Sequence, residues 1–398
     1  MGCLNRCAFV TVAAVAALAA LLAPKLRFAG VGRTVAGLNN GECFAVEGLQ
    51  ACEDAKWADQ HSGIAYLACS SHDRRLTWEP ASLRLNASAL PPVSEDYLAV
   101  FNLSSRSYSK LELIGLPEEA GGIYTLGLDV LRAPSASNPE RLLLIAISHR
   151  PPLDRSTAGK VGADSVVEVF ETSVGAKEAT WVRTVRHELV KTPNAVAVVS
   201  EKGFYVSNDH RYKTSAEHWT RPFNELFPTS SSLVYCDISR TEPDCIVATD
   251  DVVFPNGIAV SGDKVYHASS LQGKIGIWES QSDHTLVPLS ALDLGVSLDN
   301  LALAADGSVY VATFPKIFEL LKVVASAGKS DATSAVEIWR LSNETSEAQF
   351  YGQKHRKELV FADDGKVASG STTAAPYQDK LLLTGTFAKE VVVCAMPR

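Results

Sequence analysis

From residue 41 to the C-terminus, short runs of β-branched, aromatic and leucine residues alternate with Gly, Asp, Asn and Ser. Apolar runs of only a few residues, closed on both sides by turn formers, predict strands rather than helices. One window differs, since Pro315 to Ala327 carries helical spacing and is expected to form a helix. The body therefore reads as all-β. Within it one element repeats: a turn, then a short apolar strand ending in small residues. Six copies centre on Tyr66, Leu143, Tyr205, Tyr266, Tyr310 and Leu382. Their mean spacing of about 60 residues leaves room for one four-stranded sheet per repeat, and sheets that need neighbours on both faces close into a six-bladed β-propeller. A ring must also join its ends. Cys43 precedes the first copy and Cys394 stands four residues from the end, so a disulfide between them would hold the N-terminal strand against the C-terminal one in a shared blade. Cys52 with Cys69 and Cys236 with Cys245 flank hairpins; these pairs either bridge or remain buried thiols.

Ahead of this body, the run from Cys7 to Ala23 is almost wholly apolar, with no charge between Arg6 and Lys25. Eighteen residues at ~1.5 Å per residue reach roughly 27 Å, which suits either a signal peptide or a short signal anchor. The expected organisation is a targeting segment over 1–30 and a propeller over 31–398. Lys25, Arg27 and Arg33 follow the apolar run and by themselves would keep the body in the cytosol. The sequons at Asn86, Asn102 and Asn343, together with the cysteines, argue for a lumenal or extracellular body in the secretory pathway, released or membrane-anchored. Membrane or lipid contact would then run through the N-terminal segment.

Charge narrows the choice of partners. The 398 residues carry 37 basic and 45 acidic side chains, a net charge of −8, and no basic run, which excludes nucleic acid as the main partner and favours cations. About ten to thirteen residues before four of the six repeat centres, a polar pair or triplet interrupts the apolar pattern: Glu53-Asp54, Pro193-Asn194, Pro255-Asn256-Gly257 and Asp299-Asn300. In a propeller, the starts of the innermost strands meet at the mouth of the central channel. Glu53, Asn194, Asn256, Asp299 and Asn300 would then offer carboxylate and amide oxygens to a hard cation, and the looser shell of Ca²⁺ suits such a cage better than the strict octahedron of Mg²⁺. The alternative is that Asn and Asp merely form turns between blades.

The same residues carry a resemblance. Glu53-Asp54, Asn194, Ser207-Asn208-Asp209-His210, Phe254-Pro255-Asn256-Gly257-Ile258, Leu298-Asp299-Asn300 and Cys394 resemble the serum paraoxonase/arylesterase family, over a stretch from about Cys43 to Cys394. The resemblance implies a propeller that hydrolyses small-molecule aryl esters and lactones, with a retained hydrophobic N-terminus. It implies a catalytic Ca²⁺ on the five oxygen donors and a second, structural Ca²⁺ on Asp54 and the Leu128 carbonyl. Three positions depart from it. Ala195 replaces an acidic ligand of the second ion. Leu126 replaces one of two paired histidines, leaving His149 alone, and Phe314 stands where a polar pocket residue is expected. Activation of water then falls to Glu53 or Asp299, with His149 either a further catalytic group or a framework residue. His210 is read as a supporting or framework residue. Two other readings stay open: a sugar-lactone hydrolase, and a non-catalytic strictosidine-synthase-like propeller that binds a protein or lipid. A classical serine hydrolase is disfavoured by the lack of a Gly-x-Ser-x-Gly elbow.

Overall fold

A computed structural model of the protein describes residues 20, 22–224, 229–327, 329–343 and 355–396. Six sheets form a ring, each antiparallel through its four main strands. The strands next to the channel are Cys52–Trp57, Thr125–Arg132, Pro193–Ser200, Pro255–Ser261, Ser297–Leu303 and Thr373–Tyr377, for blades one to six in turn. Each packs beside the inner strands of the blades on either side, and the sixth returns to the first. All six repeat centres fall on the second strand of a blade, at Ile64–Cys69, Arg141–Arg150, Gly203–Asn208, Lys264–Ser269, Val309–Phe314 and Lys380–Thr384. Blade two carries one extra strand, Glu112–Ile114, paired parallel to its outer edge.

These second strands are apolar at nearly every position because both of their faces are covered. Successive side chains point to opposite faces of a strand, so Ala65, Leu67 and Cys69 pack toward blade six while Ile64, Tyr66 and Ala68 pack toward blade two. Phe204 and Val206 likewise join the cluster shared with blade two, and Tyr205 the cluster shared with blade four. Six clusters of this kind fill the wedges between neighbouring blades. Each fully buried Leu, Val or Phe contributes roughly 1.5 to 3 kcal/mol. No blade would keep that contribution if its neighbours were removed.

Ring closure takes the expected form. Cys43–Val46 is the outermost strand of blade six, antiparallel to Val391–Ala395, with Cys43 directly opposite Cys394 and bonded to it. Cys52–Cys69 and Cys236–Cys245 are also disulfides, and each likewise joins residues that face one another on adjacent antiparallel strands. The expected helix occupies Ile317–Ser326. A short helix not anticipated from the sequence, His72–Thr77, is capped by the Ser71 side chain, which accepts from the Arg74 amide.

The apolar run from Cys7 lies almost entirely outside the described residues. Among the described residues, no helix is long and apolar enough to cross a membrane. The chain reaches the propeller at Ala29, whose carbonyl accepts from Ile317 N, and at Arg33, whose guanidinium pairs with Glu337 at 2.6 Å. Asn86 is exposed, and the half-buried Asn102 caps a hairpin turn through the amides of Ser104 and Ser105. Asn343 ends a described strand, but its side chain and the rest of its sequon lie outside the described residues.

The covalent link between Cys43 and Cys394 spans 351 residues, and closing so long a loop lowers the entropy of the unfolded chain by an amount worth about 6 kcal/mol in the chain-entropy model. The Cys43→Ser/Cys394→Ser double variant is expected to unfold at clearly lower denaturant concentration than the parent. Coincident unfolding curves would show that strand pairing alone closes the ring.

Candidate functional site

The polar residues read from the sequence share one structural device. At the start of each of the first five inner strands the ladder slips: between Cys52 and Asp54, Thr125 and Leu128, Pro193 and Ala195, Pro255 and Ile258, and Leu298 and Leu301. Such a bulge takes residues out of register and re-aims their side chains. The residues set free are Glu53, Leu126 with Gly127, Asn194, Asn256 with Gly257, and Asp299 with Asn300. Two glycines make the close approach of these strands feasible. A Cβ on Gly127 would lie 2.5 Å from the Asn194 carbonyl oxygen, and one on Gly257 would lie 2.4 Å from Leu301 N.

Direct hydrogen bonds draw four of the five expected ligands together. Asn300 Nδ2 donates to Glu53 Oε1 at 2.7 Å, and the Asn256 amide hydrogen-bonds Asp299. Asn194 occupies the equivalent bulge of blade three, next to Asn256, and the Asn256 carbonyl accepts from Ser207 Oγ at 2.6 Å. All five are at least nine-tenths buried. Yet Glu53 Oε2 and the Oδ1 atoms of Asn194, Asn256 and Asn300 have no hydrogen-bond partner. An orphaned buried acceptor costs on the order of 1–3 kcal/mol, and four of them from four blades make a donor set suited to a cation. Burial, with Asp54 and Asp299 close by, pushes the Glu53 carboxyl well above its ordinary value; burial does the same to Asp299 despite the bond from Asn256. Among the described residues no three His, Cys, Asp or Glu side chains cluster as a metal site. The donor set is instead two carboxylates and three amides, a chemistry that fits calcium.

Several supports were not legible in the sequence. Blade six has no bulge here, and it contributes hydroxyls: Thr372 Oγ1 and Thr373 Oγ1 both donate to the Glu53 carbonyl, at 2.6 and 3.0 Å, and Asn300 Nδ2 also donates to Thr373 Oγ1. Arg75, on the short helix, is fully buried. It donates to Glu79 and to the carbonyls of Thr125 and Ala51, so it ties down the entries of blades one and two, and its charge acts on Glu53. The neighbouring Arg74 pairs with Asp96, which also accepts from Thr125 N and Ser70 Oγ. The Ser71 cap and the Arg75/Glu79 spacing of i, i+4 were the available signals.

Asp54 and Leu128 are brought together, but by the wrong atoms for a shared ion. Leu128 donates its N–H to Asp54 Oδ2 at 3.2 Å, while Asp54 Oδ1 accepts from Ala55 N and Thr373 Oγ1. Lys56 Nζ stands 3.6 Å from the same oxygen. With the Lys56 ammonium beside it, the donor set around Asp54 does not fit a second divalent cation. Ala195 is buried between blades three and four and supplies no oxygen from its side chain.

His149 stands on the second strand of blade two, beside Ser165. Its Nδ1 is 2.8 Å from Ser165 Oγ, its Nε2 has no hydrogen-bond partner, and burial lowers its pKa to about 4. Leu126 packs into the apolar wedge between blades two and three. His210 pairs with Asp209 at 2.8 Å, edge-on to Phe254, and its backbone exchanges hydrogen bonds with Thr192, a framework role. Phe314 is buried at the end of its strand, opposite Ser297.

The family model described as Arylesterase matches residues 158–396, a stretch that holds Asn194, Asn256, Asp299, Asn300 and Cys394. Serum paraoxonase/arylesterase 1 of Rattus norvegicus is 28% identical over 236 residues, 58% of this chain and 61% of that protein. The protein of the same name from Homo sapiens is 26% identical over 315 residues, 75% of this chain and 80% of its own length. The match thus spans about three-fifths of the rat relative and four-fifths of the human one. Among solved structures, the major allergen Mala s 1 of Malassezia sympodialis superposes with a TM-score of 0.51 at 12% identity, covering 89% of this chain and 96% of its own, a likeness of fold alone. Propeller, closing disulfide and matched residues agree: the chain belongs to the arylesterase family.

Proposed function

We propose that the protein is a calcium-dependent hydrolase of carboxylic esters, of the arylesterase or lactonase type. The observation that carries this reading is the set of four unpartnered buried oxygens, on Glu53, Asn194, Asn256 and Asn300. Family membership favours it over the sugar-lactone and non-catalytic readings.

Glu53, Asn194, Asn256, Asp299 and Asn300 would hold the ion. When bound, calcium supplies a Lewis acid that polarises the ester or lactone carbonyl and offsets the charge that builds on its oxygen. The chain's own residues do the rest. Asn300 and Asn256 anchor one side of each carboxylate, and the threonines of blade six fix the Glu53 backbone. With Oε1 held by Asn300, Glu53 Oε2 faces the site as the proton acceptor for an attacking water, and Asp299 is the alternative. A carboxylate that also serves a cation is a weak base. Activated phenyl esters and lactones are therefore the substrates within reach. His149 is held by Ser165 rather than by a second imidazole, and burial lowers its pKa to about 4. Three disulfides and the family support an oxidising, extracellular or lumenal setting.

Metal analysis of the purified protein is expected to find one tightly held calcium, lost in Asp299→Ala. Phenyl acetate and lactone hydrolysis should stop on chelation and return with calcium. Less than half an equivalent of calcium, or full activity in chelator, would remove the reading.

Glu53→Gln should abolish turnover while His149→Gln keeps most of it. Loss of turnover in His149→Gln with calcium still bound would make the imidazole the base. The same variant reports on stability. The unfolded chain protonates His149 near its ordinary value of ~6.5, whereas the folded chain waits until about 4. The stability it contributes as a neutral group is therefore present above pH ~6.5 and lost as pH falls toward 4. The difference in stability between parent and His149→Gln should drift in the parent's disfavour over that range, and a constant difference would contradict the assignment.

A further inference from the structure

The channel continues below the ring of oxygens into a cavity of about 140 Å³, lined by Lys56, Trp57, Gln60 and Asp129 among others. Lys56 enters it from the inner strand of blade one. Its Nζ donates to the Leu301 carbonyl at 3.1 Å, on blade five, and stands 3.6 Å from Asp54 Oδ1. Asp129 comes from blade two, with Oδ2 accepting from Val198 N on blade three and Oδ1 from Val130 N. Its charge acts on Lys56 together with those of Asp54 and Glu53. The ammonium thus reaches across the axis and answers groups from blades one, two and five.

We infer that the Lys56 ammonium is a built-in cation that takes the structural position of a second metal ion, so that the propeller axis carries one exchangeable divalent ion and one covalently tethered charge. Three observations support this. The oxygens of Asp54 are already engaged by Ala55 N, Thr373 Oγ1 and Leu128 N, and Leu128 offers them its N–H rather than its carbonyl. Ala195 gives no carboxylate on the adjoining strand. Glu53, Asp54, Asp129 and Asp299 bring four carboxylates to the channel; Lys56 answers one and a single calcium two more. That leaves too little negative charge to draw a second divalent ion into a site that already holds an ammonium. A lysine suits the place because its three donors sit on a point charge at the end of a flexible stem.

This inference rests on the one-calcium reading above only for the upper ion, and the experiment separates the two. The purified protein, Lys56→Ala and Lys56→Met are dialysed at fixed free calcium, and metal content and melting temperature are measured across a calcium series. The parent is expected to hold one equivalent. Both variants should melt roughly 5 °C lower at low calcium, the scale set by leaving a buried carboxylate unpaired. Raising calcium should restore Lys56→Ala, with a second equivalent taken up, but not Lys56→Met, whose side chain fills the space. Two equivalents in the parent, or a variant that melts like the parent at every calcium level, would overturn the inference. Should neither variant fold, the parent's stoichiometry decides alone. A parent without calcium would instead count against the oxygen ring, and the variants' melting temperatures would still judge Lys56.

Discussion

Six inner strands packed around one axis cannot all continue their ladders to the end. Where they enter the channel, neighbouring backbones come so close that Gly127 and Gly257 leave no room for a Cβ, and five of the six strands slip register at that level. The slip turns polar side chains inward. A buried polar atom without a partner is expensive in a medium of low dielectric, so the same constraint that closes the ring creates a demand for positive charge along its axis. The buried arginines answer that demand within the fold, and the proposed ion and the channel lysine would answer it on the axis.

The answers differ in kind. Arg75 is fixed by Glu79 and two carbonyls and holds two blade entries in place. The oxygens of Glu53, Asn194, Asn256 and Asn300 are left open. Buried oxygens left open in this way call for an explanation. On blade two the bulge carries Leu126, and the local problem disappears into the apolar wedge instead. With no imidazole at that position, His149 takes Ser165 as its neighbour and stays uncharged.

Much of this was legible from the chain. The repeated apolar strand marked the second strand of every blade, because that strand is covered on both faces and so carries a nearly uninterrupted apolar signal. Cys43 and Cys394 could be paired because a ring must join its ends, whereas Cys52/Cys69 and Cys236/Cys245 flank hairpins and were open between bridges and buried thiols until the strand register placed each pair face to face. Glu53, Asn194, Asn256, Asp299 and Asn300 stood out because bulges replace apolar residues at one phase of the repeat. The bulges themselves left no mark, since a slipped register is a relation between two strands and not a property of either. Thr372 and Thr373 looked like ordinary strand residues for the same reason. Lys56 was hidden by alternation: in Asp54-Ala55-Lys56-Trp57 a lysine suggests a solvent-facing position, and only the ring turns that direction into the channel.

The bond between Cys43 and Cys394 makes the whole propeller, from first strand to last, a single covalent circle. In such a circle the order of the blades has no beginning. A protease that cuts once in any surface loop between those two residues releases nothing; it opens the circle at a new point and leaves a circularly permuted molecule of the same mass plus one water. Two cuts are needed before any fragment between them is free of covalent attachment, and even then the wedges on both sides still hold it.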